Sequence, residues 1–188
     1  NIALVLKFYC EENKEFPSGI DGAGMQCRRK ELQYENLICR KEKVFDMGET
    51  AKVPQGKAPI GKILRVSSRA TLESKKAVAD KLLIKGDLYT DILYLSEDEE
   101  GKVDKITHSM PISQIIDMPG IDEESLCSVI LSVRHISAQR KADSSSQGRL
   151  VEIAAKCSAM VRCSQVKTAY VIDDCYSISH GMKSDYAL

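Results

Sequence analysis

"KGDLYTDILYLSEDEEGKVDKITHSMP", residues 85–111, alternates apolar and polar residues on both sides of a charged centre. Alternation with a period of two marks a strand with one buried and one wet face. The centre, SEDEEGK, contains Gly101, a residue suited to the positive φ that a hairpin turn demands. The stretch therefore predicts a long β-hairpin.

The same period extends along the chain. Leu82, Ile84, Gly86, Leu88, Thr90, Ile92 and Tyr94 form the longest run. Ile2, Leu4, Leu6, Phe8 and Cys10 share one strand face, and Leu64, Val66, Ser68, Ala70 and Leu72 another. Val129, Leu131, Val133 and His135 read as one face of a further strand, with Ile130 and Ile136 on its other face. Val151, Ile153, Ala155, Cys157, Ala159, Val161 and Cys163 alternate again, and the Ser-rich KADSSSQGR (141–149) predicts a second hairpin before them. DMPGIDEES (117–125) reads as a loop, and VPQGKAPIG (53–61) as a connector between units. Helical signal is poor. TLESKKAVADK (71–81) has the length for three helical turns without a consistent apolar face, and PISQIIDMP (111–119) for a single turn. The fold class expected is all-β: long antiparallel hairpins forming a sandwich or strongly bent sheet, with little helix.

A faint internal repeat sets the domain expectation. Ile20, Asp21 and Tyr34 recur as Ile172, Asp173 and Tyr186, and Ile2, Ala3 and Leu6 align with Ile153, Ala154 and Cys157. Asn1 stands where a natural start has Met, which predicts a piece of a longer chain. On this reading residues 1–35 are the C-terminal tail of a preceding repeat, 36–57 a connector and first strand, and 58–188 one complete repeat.

Composition narrows the function. The 188 residues carry 27 basic and 27 acidic side chains, so the formal net charge is zero. Nucleic-acid binders and polybasic membrane patches show a basic excess instead. No apolar run reaches the length of a transmembrane helix, so membrane insertion is not expected. Long strands and zero charge predict self-association through an exposed strand edge. Seven cysteines are irregularly spaced without a C-x-x-C pair, which points to reduced core thiols rather than a disulfide or zinc framework.

Catalytic chemistry finds no foothold. His108, His135 and His180 lack metal-ligand spacing. Asp173 and Asp174 lack a third ligand nearby, and Ser144, Ser145 and Ser146 lack a nucleophile-elbow context. The sequence thus assigns no catalytic, cofactor-binding or metal-binding residues, and the chain is expected not to be an enzyme. The acidic turn, Glu97, Asp98, Glu99 and Glu100, is the candidate docking point for a basic partner.

KLLIKGDLYTDILYLSEDEEGKV (81–103), followed by MPISQIIDMPG (110–120), resembles the SPOCS domain of clostridial sporulation proteins, including the SipL-like coat morphogenetic proteins. The family pattern falls on Gly86, Leu93, Tyr94, Pro111, Ile112, Pro119 and Gly120, with Ile112 replacing the usual Phe. IDDCYSI (172–178) resembles the family's closing motif at Asp174, Cys175, Tyr176 and Ser177, and IDGAGMQ (20–26) resembles a degraded copy of it. The resemblance implies a non-enzymatic protein–protein interaction and assembly module of spore coat or spore envelope morphogenesis. It implies a place in the mother-cell cytoplasm at the forespore surface and, as partner, the ATPase that anchors the coat. Members often end in a LysM module implicated in that contact, and no LysM-like segment is visible here. The alternative is a cell-envelope or polysaccharide-associated binding domain, for which an aromatic-lined groove is the expected sign.

Overall fold

The computed structural model describes residues 15–17, 24–97, 101–141 and 148–179. The hydrophobic N-terminal run, His180, Tyr186, most of the repeat and the tip of the second hairpin lie outside the described residues. Among those described there are six strands: β1 (Met25–Lys52), β2 (Ile60–Val78), β3 (Lys81–Ser96), β4 (Val103–Asp117), β5 (Leu126–Arg140) and β6 (Leu150–Ser177). They form two three-stranded antiparallel sheets, ordered β1-β6-β5 and β2-β3-β4. No helix occurs among the described residues. The chain divides into a larger unit, Asn36–Gln165, and a smaller one, Asn1–Glu35 with Val166–Leu188.

The larger unit holds the core, and its two central strands supply most of it. On β3 the alternation survives without a slip: Leu82, Ile84, Leu88, Ile92 and Tyr94 are buried. On β6 the buried set is Val151, Ile153, Ala155, Cys157, Ala159, Val161 and Cys163. Its small Ala and Cys residues complement the bulky Leu and Ile of β3 within one cluster. Ile106, Met110, Ile112 and Ile116 of β4, Phe45 of β1 and Val53 and Ile60 of the connector join it. Each large apolar side chain so buried contributes about 1.5–3 kcal/mol.

Both expected hairpins are present. β3 and β4 pair from Lys81–Asp117 to Leu95–Val103 without a register shift. Gly101 takes a φ of 57°, as the turn requires. β5 and β6 pair antiparallel from Leu126–Ser164 to Arg140–Val151.

Several sequence expectations are corrected. Residues 71–78, long enough for helical turns but without a helical face, continue β2, because they pair with the apolar strand β3 down to Val78–Lys81. PISQIIDMP (111–119), long enough for a single helical turn, instead continues β4 through Asp117, which pairs with Lys81 of β3. A bulge between Val133 and His135 resets the phase of β5. Ile136 therefore joins Val129, Leu131 and Val133 against the core, and His135 faces water. Bulges at Ile63/Arg65 and Leu72/Ser74 act likewise on β2. Val66 and Ala70 pack inward while Leu64 and Leu72 are exposed. Cys127 and Cys163, expected as free thiols, sit directly opposite each other on β5 and β6 and form a disulfide.

The connector at 53–61 is part of the larger unit rather than a joint between units. Val53 is fully buried and its N–H donates to the Arg149 carbonyl at 2.8 Å, and the Ile60 N–H donates to Gly148 at 3.0 Å. The Arg149 guanidinium donates to the carbonyls of Pro54 and Lys57.

Candidate functional site

The residues with a family resemblance are mostly structural. Tyr94 is fully buried, and its hydroxyl donates to the Ala58 carbonyl at 3.1 Å. Burying the ring while satisfying its polar tip anchors the connector to the core. Gly86 pairs with Leu72 on β2 and Ile112 on β4. A Cβ there would overlap the Thr71 carbonyl oxygen, so only glycine lets the bulged β2 close in. Leu93 lies on the outer face of β3, between Arg65 and Lys105. Pro111 sits on β4, at the edge of its sheet, where a missing N–H is tolerated.

Pro119 and Gly120 form a loop held by a residue that the sequence reading missed. Asp80 ends the two-residue turn between β2 and β3 with a φ of 59°. Its carbonyl accepts the Met118 N–H at 2.8 Å, its N–H donates to Ile121 at 3.0 Å, and its carboxylate accepts the Gly120 N–H at 2.7 Å. One aspartate thus ties two loops together. Its place inside TLESKKAVADK, a stretch without a clear period, concealed it.

Asp174 and Tyr176 lie on β6 in the smaller unit, and Tyr176 is exposed. Of the acidic turn, Asp98, Glu99 and Glu100 lie outside the described residues. Glu97 is engaged already: Arg140 donates to its carboxylate at 3.2 Å and to the Ile60 carbonyl at 3.1 Å.

That arginine is one of several cations that bridge strand edges in the larger unit. Lys41 and Lys43 of β1 donate to the Asp117 and Ile115 carbonyls of β4, at 2.9 and 2.8 Å. Lys75 of β2 donates to the Cys127 carbonyl of β5. The carbonyls of Ile115, Asp117 and Cys127 are therefore occupied by side chains.

The outer face of β2-β3-β4 remains wet. Tyr89 is at its centre, and the Arg69 guanidinium lies 5.2 Å from its ring centroid. Asp91 accepts from Thr107 Oγ1 at 2.7 Å and pairs with Lys105 Nζ at 3.0 Å. Those hydrogen bonds, Thr107 first, hold the Asp91 carboxyl below its usual range. The cross-strand row Arg69, Tyr89, Ser109 adjoins the row Thr71, Asp87, Pro111. The result is a face of mixed charge around one aromatic ring.

Inside the larger unit, the Thr90 hydroxyl is buried without a hydrogen-bond partner, on the rung it shares with His108. His108 Nε2 lies 3.0 Å from Glu49, an ordinary surface pair. A cleft of about 350 Å³ is lined by Lys75, Leu82, Glu123, Ser125 and Cys127, among others, and none of its lining residues is aromatic.

Residues 59–141 match the family described as SipL, SPOCS domain. The match opens just before β2 and closes just after β5. It contains all of β2-β3-β4 and excludes β1 and β6. No curated protein and no solved structure matches the chain. No helix among the described residues is long and apolar enough to cross a membrane. The matched family suggests a sporulation-related role and protein interactions. The matched span contains the motifs at 81–103 and 110–120 that resemble the SPOCS domain in the sequence.

Proposed function

We propose that the chain is a non-enzymatic protein–protein interaction and assembly module in spore coat or spore envelope morphogenesis, working in the mother-cell cytoplasm. The observation that supports this most is the position of the SPOCS match on sheet β2-β3-β4. The inner face of that sheet is committed to the core, through Leu88, Ile92, Tyr94 and Ile112. The outer face around Arg69, Tyr89, Asp87 and Asp91 is the part of the matched span open to a partner. Aromatic and arginine side chains are the commonest energetic anchors of protein interfaces. The acidic sequence Glu97–Glu100, which follows β3 in the chain, adds negative charge. The coat-anchoring ATPase is the partner that the family suggests.

The test uses the whole chain as bait in extracts of sporulating cells, read by mass spectrometry, beside a Tyr89→Ala/Arg69→Glu variant. Recovery of the coat-anchoring ATPase or coat proteins by the native chain, and their loss with the variant, is the expected result. A folded native chain that retains nothing specific would overturn the proposal.

A further inference from the structure

The smaller unit contains a second cross-strand cysteine pair. Cys27 on β1 and Cys175 on β6 are free thiols, each half-buried, with their Sγ atoms 3.1 Å apart. The Cys175 thiol donates to the Cys27 sulfur. The neighbouring residues hold this rung in place: Arg28 Nη2 meets the Asp173 carboxylate at 2.7 Å, and the Ile172 N–H donates to the Pro17 carbonyl at 3.0 Å. The two sulfurs thus lie on neighbouring strands of one sheet, without help from a flexible loop.

We infer that Cys27 and Cys175 are a redox-active dithiol, a modification site that closes to a disulfide by exchange with a low-molecular-weight disulfide of the glutathione type. The Cys27 thiolate, its proton lost to water, attacks one sulfur of the external disulfide. That S–S bond breaks and one thiolate leaves. Cys175 then loses its proton and attacks the Cys27 sulfur of the mixed disulfide. The second external thiolate leaves as the Cys27–Cys175 bond forms. Two electrons pass from the pair to the external disulfide, whose halves take up the two protons.

The order of attack follows from the hydrogen bond. Donation to Cys27, together with burial, pushes the Cys175 thiol up to about 11. Cys175 therefore stays protonated at neutral pH and leaves the first step to Cys27. A Cys27–Cys175 bond would tie the outer stretches of β1 and β6 covalently, as Cys127–Cys163 ties β5 to β6.

The test starts from the fully reduced whole chain. It is incubated with glutathione disulfide at neutral pH, quenched by alkylation and mapped by peptide mass spectrometry. The expected product joins Cys27 to Cys175 and reopens with dithiothreitol. In Cys175→Ser, Cys27 is expected to accumulate as a stable glutathione adduct, because the resolving thiol is gone. Recovery of both cysteines alkylated in the native chain would overturn the inference. So would their separate glutathionylation, or their capture by other cysteines of the chain.

Discussion

The carboxylate of Asp80 accepts the Gly120 N–H at 2.7 Å, joining residues 40 positions apart in two turns of the span that matches the SPOCS domain. Both residues have positive φ, 59° for Asp80 and 87° for Gly120. Asp80→Ala removes the acceptor and puts a poorer residue in the left-handed region. The expected cost is about 1–3 kcal/mol, read as a lower urea midpoint. Asp80→Asn keeps both an acceptor and a tolerance for that region, and should retain most of the stability. Equal loss in the two variants would refute the role assigned to the side chain.

Gly86→Val is expected to abolish folding, because the new Cβ overlaps the Thr71 carbonyl on the neighbouring strand. Overpacking of this kind against backbone exceeds the ordinary range of about 1–3 kcal/mol. Loss of soluble protein, or of cooperative thermal unfolding, checks it. Gly101→Ala meets open space and is strained only by its φ of 57°. It should fold, at a cost of about 1 kcal/mol.

Residues 59–141 alone should fail to fold, whereas 36–165 should unfold cooperatively. The shorter piece lacks Phe45, Val53, Val151, Ile153 and Val161 of the core. Their burial contributes on the order of 10 kcal/mol, comparable to the whole stability of a domain. Denaturant titration of both pieces by circular dichroism decides this, and a stable 59–141 would show that sheet β2-β3-β4 supports itself.

Three aspartates make stability fall in acid. Asp122 accepts from Ser125 Oγ at 2.8 Å and Gln165 Nε2 at 2.7 Å, and these bonds lower its pKa. Asp104 is lowered chiefly by Lys57, and Asp91 by Thr107. A carboxylate whose folded pKa lies below its unfolded value stabilises fully above the unfolded value. That contribution is lost as pH falls through the folded pKa. The urea midpoint should therefore hold down to about pH 4, near the unfolded aspartate value, and fall below it. Asp122→Asn should flatten the fall. A midpoint equal at pH 3 and pH 6 would contradict the argument.

The legible parts of the fold were the central strands. β3 and β6 each have a hydrogen-bonded neighbour on both sides, and the inward residues of β3 and of residues 151–163 keep step, so period two survives in the sequence. β2 and β5 bend through bulges, and each bulge shifts the phase by one residue. That is why Leu64 and Ile136 were read on the wrong faces. β1 was legible only in part. The reading placed a first strand within 36–57, but the strand begins at Met25, and its many charged residues hide the pattern. The site was harder still. A lysine on a strand reads as a solvated side chain, and nothing local reveals that Lys41, Lys43 or Lys75 reaches a carbonyl on another sheet. Asp80 and the pairing of Cys27 with Cys175 depend on partners 40 and 148 positions away.

The adjacency of β1 and β6 has a mechanical consequence. The chain enters the larger unit on one of these strands and leaves it on the other, and the two run antiparallel. Tension applied through residues 36 and 165 therefore peels the two strands apart one rung at a time instead of shearing many rungs at once. Such a unit yields at low load, as a zipper does, and the first rungs to open lie where the chain enters and leaves.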